Sequence, residues 1–181
     1  MSIERRMLHT LVAVIVTTVL ASETSAAPSL GISKPYYGSS NQRTSRSVRH
    51  ARSYSRGIYK YSRDADRIDP AVAKSESEEL GHNITKAQKD LAMARQEAGD
   101  DAKTLAALKT VDQHLTTAAE HHKMLHEECC KDEVEGSVCM EHCNQILLEL
   151  DKAQAEQDAL IRSMEMKEKS TGVSSTTHPH Q

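Results

Sequence analysis

The chain contains no tryptophan and no phenylalanine, and its five tyrosines (Tyr36, Tyr37, Tyr54, Tyr59 and Tyr61) all precede residue 62. Beyond that point a core has to be built from Leu, Ile, Val, Met and Ala. Without large rings to fill a thick interior, such a composition suits narrow helical packing. A thin core of this kind gains from cross-links, a metal or a partner. No stretch alternates apolar and polar residues over strand length, so no sheet is expected.

Several signatures of catalysis are missing as well. There is no Gly-rich phosphate loop, no HExxH and no GxSxG. A thioredoxin-like site needs CxxC near a βαβ unit, and neither is present. A di-iron bundle needs two inward Glu-x-x-His pairs, and this chain has only Glu79 to His82. Together these absences point away from an enzyme. Asn83-Ile84-Thr85 has the form of a glycosylation sequon but falls inside a helical pattern, where it reads as chance.

The first 27 residues read as a secretory signal peptide: Arg5 and Arg6, then the apolar run Leu11 to Leu20, then the small residues Ser22 to Ala27. The apolar run is too short to span a bilayer, which takes roughly 20 residues. Cleavage is expected after Ala21, Ala26 or Ala27. An exported protein, periplasmic or extracellular, is therefore expected, with no transmembrane segment and no nucleic-acid partner.

Charge is divided along the rest of the chain. Residues 28–68 carry nine Lys and Arg against Asp64 and Asp66, a net charge of +7. Residues 69–181 carry twelve Lys and Arg against twenty-two Asp and Glu, a net charge of −10. Residues 28–68 thus read as a flexible basic arm. Its first part, 28–43, resembles a linker rich in Gly, Pro and Ser. Between Thr44 and Asp66, Val48, Ala51, Ser55, Ile58 and Ala65 recur at helical spacing beside Arg46, Arg49, Arg52, Arg56, Lys60 and Arg63, which fits a short amphipathic helix. Such an arm either docks on the acidic body or binds an anionic surface, such as a cell-wall polymer or lipid head groups.

Residues 69–169 carry the main helical signal. Asp69-Pro70 is a helix start, with Asp as N-cap and Pro in the first turn. Ala73, Ser77, Leu80, Ile84, Ala87, Leu91, Ala94 and Ala98 then alternate steps of four and three. Gly99-Asp100-Asp101 breaks that row. Leu108, Val111, Leu115, Ala118, His122, Leu125 and Cys129 continue the rhythm in a second helix. After a polar turn at 131–138, Cys139, Cys143, Ile146, Leu150, Ala153, Gln157, Leu160 and Met164 form a third. The expected fold is all-α: an antiparallel helical bundle or a long helical hairpin or coiled coil. Self-association through the heptad seams is also expected. Residues 170–181 read as a disordered tail.

Chemistry concentrates in residues 121–143, which hold all four cysteines together with His121, His122, His126 and His142. Two readings follow. In an exported chain an even cysteine count favours disulfides. Folding the chain back at the turn, Cys129–Cys143 and Cys130–Cys139 fit one register, and the other cross-hairpin pairing fits it less well. The alternative is a Zn(II) or Cu(I) site drawn from His122, His126, Cys129, Cys130, Cys139, His142 and Cys143. His122, His126 and Cys129 share a helical face, as do Cys139 and Cys143. Cys130 with His126 also makes a conceivable thiol–imidazole pair, but no oxyanion hole or substrate cleft is evident for it. No cofactor is required by the disulfide reading.

The stretches YYGSSNQRTSRSVRHARSYSRGIYKYSRDA and HHKMLHEECCKD resemble a group of uncharacterised exported bacterial proteins. That resemblance implies an extracytoplasmic setting and brings no site residues. The expected function is an exported, non-enzymatic structural or interaction module, stapled by disulfides at the 129–143 hairpin.

Overall fold

The computed structural model describes residues 38–172; the signal-peptide reading, residues 28–37 of the 28–43 linker reading and residues 173–181 of the 170–181 tail reading lie outside them, while residues 170–172, expected to begin the tail, are helical. The described residues form four α-helices: α1 (Gly38–Asp64), α2 (Pro70–Ala98), α3 (Ala102–Cys129) and α4 (Gly136–Gly172). Among the described residues there is no strand, and no helix is long and apolar enough to cross a membrane.

The helix ends follow from local chemistry. Asp69 caps α2 by accepting the Ala71 N–H at 2.8 Å, and Pro70 occupies the first turn, where its missing N–H costs nothing. Gly99 ends α2 at φ +54°, in the left-handed region open to glycine. Asp101 caps α3 by accepting the N–H groups of Lys103 and Thr104, both at 3.1 Å. Gly136 opens α4 against the backbone of α1. A β-carbon there would lie 2.8 Å from the Ser62 carbonyl oxygen, so the close approach depends on its absence.

Each helix packs against two others: α1 against α2 and α4, and α3 against α2 and α4. Side-chain pairs set the directions. Arg43 and Asp90 bind at 3.1 Å near the start of α1 and the end of α2. Arg95 meets Asp112 at 3.1 Å between α2 and α3, and His114 meets Glu149 at 2.7 Å between α3 and α4. Arg52 pairs with Asp151 between α1 and α4. The heptad rows of α2, α3 and α4 supply the interior: Leu80, Ile84, Leu91, Leu108, Leu115, Leu125, Ile146 and Leu150 are fully buried side chains. His122 and Met164 sit at its margin, only partly covered. These seams, the basis for expecting self-association, are buried within one chain.

The picture of residues 28–68 as a flexible arm needs correction over 38–64. There α1 is a 27-residue helix, longer than the short amphipathic helix expected between Thr44 and Asp66, and an integral fourth member of the fold. Its buried positions Asn41, Thr44, Val48, Ala51, Ser55, Ile58 and Ser62 step by three and four, the same heptad as the other helices. The row is written mostly in small polar residues, so an apolar pattern barely shows. Their polar atoms find partners. Thr44 Oγ1 donates to the Ser40 carbonyl at 3.0 Å, Ser55 Oγ to the Cys143 carbonyl at 3.2 Å, and Gln157 Nε2 donates to Asn41 Oδ1 at 2.7 Å. Small side chains let α1 lie close to α4, and satisfied hydroxyls remove the penalty of burying them.

Candidate functional site: thiols and imidazoles at the α3–α4 turn

The turn between α3 and α4 is held by Glu128. Its carboxylate is buried, ion-paired with Lys131, and accepts the Glu135 N–H at 2.9 Å. Burial works to raise its pKa, but the hydrogen bonds from Lys131 and Glu135 outweigh it and hold the group below the usual carboxylate range. The same turn places Cys130 as the C-cap of α3, its N–H donating to the His126 carbonyl at 3.0 Å.

The seven candidate residues divide into three places. Cys129, Cys139 and Cys143 are buried in the core. Cys129 and Cys139 meet across the turn, and the Cys129 thiol hydrogen-bonds to Cys139. That bond makes Cys129 keep its proton, with burial acting in the same direction, and lowers the pKa of Cys139. Ser62 of α1 adds a second hydrogen bond to Cys139. Burial pushes the Cys143 thiol up to about 12, against a hydrogen bond from Ser55. Cys143 is therefore a packed, protonated side chain. Ser55 stands on the helical row that the sequence predicts between Thr44 and Asp66, but neither its contact with Cys143 nor that of Ser62 with Cys139 is announced by a local pattern.

The second place lies between α2 and α3. Cys130 is exposed, and its Sγ lies 3.6 Å from His126 Nε2. His126 Nδ1 lies 3.4 Å from Ser77 Oγ, and His122 Nε2 donates to the Ser77 carbonyl at 2.8 Å. The His122 and His126 rings stack with centroids 6.0 Å apart. Burial lowers the His122 pKa, opposed by the Ser77 carbonyl and assisted by the neighbouring His126, so the ring is neutral. A cavity of about 270 Å³ lies alongside, walled by Glu78, Gly81, Ile84, Ala119, His122 and His126. The sequence marks Ser77 only as a seam position, and the structure has it engage both imidazoles.

The third place pairs His142 with His121 of α3, ring centroids 6.0 Å apart. The metal-site reading required these groups to converge. Among the described residues no three His, Cys, Asp or Glu side chains are placed to hold an ion together. Cys129 turns to the core and Cys139, while His122 and His126 turn to Ser77.

The preferred disulfide pairing also meets a different geometry. Cys130, assigned to Cys139, stands exposed beside His126, and Cys129, assigned to Cys143, faces Cys139. Known protein families, curated proteins and solved structures contain no match to the chain.

Proposed function

We propose that this protein is an exported, non-enzymatic interaction module: an antiparallel four-helix bundle stapled between α3 and α4 by a Cys129–Cys139 disulfide. The contact of the two thiols across the turn carries this reading. In an oxidising compartment, neighbouring thiols that already face each other need little movement to bond. The staple closes a short loop and contributes on the order of 2–4 kcal/mol, a large share of the stability of a thin-cored domain.

The interaction surface in this reading is the outward row of α1. Arg43 and Arg52 are committed to Asp90 and Asp151. Arg46, Arg49, Arg56 and Lys60 are exposed and make no ion pair among the described residues. Their spacing of three, seven and four residues places them on one face of the rigid helix. An anionic polymer or head-group surface is the partner such a row fits.

The test is a thiol map of protein purified from an oxidising compartment without reductant. The expected result is a peptide pair joined through Cys129 and Cys139, with Cys143 recovered as a thiol and Cys130 outside the pair. Recovery of all four as thiols with about one Zn or Cu per chain would overturn the staple in favour of a metal binder.

A further inference from the structure

Cys130 stands apart from the buried thiols. It is solvent-exposed, beside an imidazole that lies against a serine and lines a cavity. A base hydrogen-bonded to a nucleophile and oriented by a third group is the arrangement that activates a thiol. We propose that Cys130, His126 and Ser77 form a thiol–disulfide exchange site that takes a low-molecular-weight disulfide and leaves Cys130 as a mixed disulfide.

The step balances without an outside electron donor. His126 Nε2 accepts the Cys130 thiol proton. The Cys130 sulfur attacks one sulfur of the small disulfide, a new S–S bond forms, and the old one breaks. The departing thiolate takes the proton back from the His126 imidazolium. One disulfide and one protein thiol become one mixed disulfide and one small thiol.

His126 must present Nε2 bare, and Ser77 secures that. In the proposed site its hydroxyl oxygen, 3.4 Å from Nδ1, takes the Nδ1–H and so leaves Nε2 to the thiol. Ser77 is fully buried, and its own carbonyl accepts from His122. The cavity beside the ring offers space for the second half of the disulfide, and Glu78 on its wall favours one that carries an amine.

The inference rests on the proposed staple only in leaving Cys130 outside it. The probe is cystamine, applied in excess to the full chain, with the modified residue found by peptide mass. Cys130 should take the label and Cys130→Ser should abolish it. His126→Gln should slow labelling at least about tenfold. Nitrogen-15 shifts of the His126 ring should show a protonated Nδ1 and a bare Nε2, a preference lost in Ser77→Ala. Equal labelling rates in wild type and His126→Gln, or an Nε2–H ring in wild type, would overturn the site and leave the staple standing. Cys130 found joined to Cys139 would overturn both.

Discussion

The His122 ring fills the space that a side chain on Gly81 would need. A β-carbon at Gly81 would lie 2.4 Å from His122 Cε1 and 2.7 Å from Nε2. Gly81 lies inside α2, where glycine costs roughly 0.5–1 kcal/mol relative to alanine. That cost is offset because the ring can lie flat on the helix and reach the Ser77 carbonyl.

A sign reversal follows. Gly81→Ala in the native background displaces the ring and its hydrogen bond, worth about 1–3 kcal/mol, which exceeds the gain in helix propensity. A net loss of about 1 kcal/mol is expected. In a His122→Ala background the obstacle is gone, and the same change should stabilise by roughly 0.5–1 kcal/mol. Chemical denaturation of the four variants in the cycle measures this. Equal effects in both backgrounds would show that the ring does not depend on the glycine.

Reducing agent should separate the staple from ordinary packing. The oxidised protein should unfold at higher denaturant than the reduced protein, by about 2–4 kcal/mol. Cys139→Ala should bring the oxidised protein to the reduced level and make it indifferent to reductant. Cys130→Ser should keep the full response. A response that survives Cys139→Ala would place the bond elsewhere.

Much of this architecture was legible, and what was hidden has a physical cause. The rows from Ala73 to Ala98, from Leu108 to Cys129 and from Cys139 to Leu160 are buried, save His122, because apolar periodicity is a direct record of burial. Asp69, Pro70 and Gly99 marked α2's boundaries for the same local reasons that form them. The helical spacing of Val48, Ala51, Ser55 and Ile58 predicts part of α1, but not its length or its place in the interior, because the rest of the inward heptad is Asn41, Thr44 and Ser62. Hydroxyls of that size bury easily once helices approach closely, a tertiary condition that no local pattern reports. The cysteine pairing failed to show for a related reason. Register alone does not say which way Cys129 and Cys130 turn at a helix cap, and there one residue decides between core and solvent.

Acidification should act first on His122. Its folded pKa lies below its ordinary value, chiefly through burial, so the unfolded chain binds its proton more readily. The stability it supports is complete above about pH 6.5 and declines as pH falls below that. Glu128 and Glu149, both held below the usual carboxylate range, lose their contributions only at lower pH. Melting temperature should therefore fall between pH 7.5 and pH 5.5, and His122→Gln should reduce the fall. An unchanged slope in that variant would assign the effect to another histidine.

If α1 belongs to the bundle, truncating its inward face should cost as much as truncating any core residue. Ile58 is 1% exposed, and Ile58→Ala should destabilise by about 2–5 kcal/mol. A change near zero, read from equilibrium unfolding, would return α1 to the status of a loosely docked arm.

The outward face of the same helix should behave in the opposite way. Arg46, Arg49, Arg56 and Lys60 are exposed and take no part in ion pairs among the described residues, so reversing all four to Glu should leave unfolding nearly unchanged. Retention on a polyanion column or on anionic lipid vesicles should nonetheless be lost, and retention of the native protein should weaken steeply with salt. Deleting residues 38–64 would not make this distinction, since it removes the partner that α2 and α4 both pack against. The neutral control is Arg52→Ala, which breaks a half-exposed pair with Asp151 worth at most about 1 kcal/mol and leaves the outward row intact. Retention lost in that control but kept in the fourfold reversal would move the contact surface away from the row and towards the α1–α4 edge.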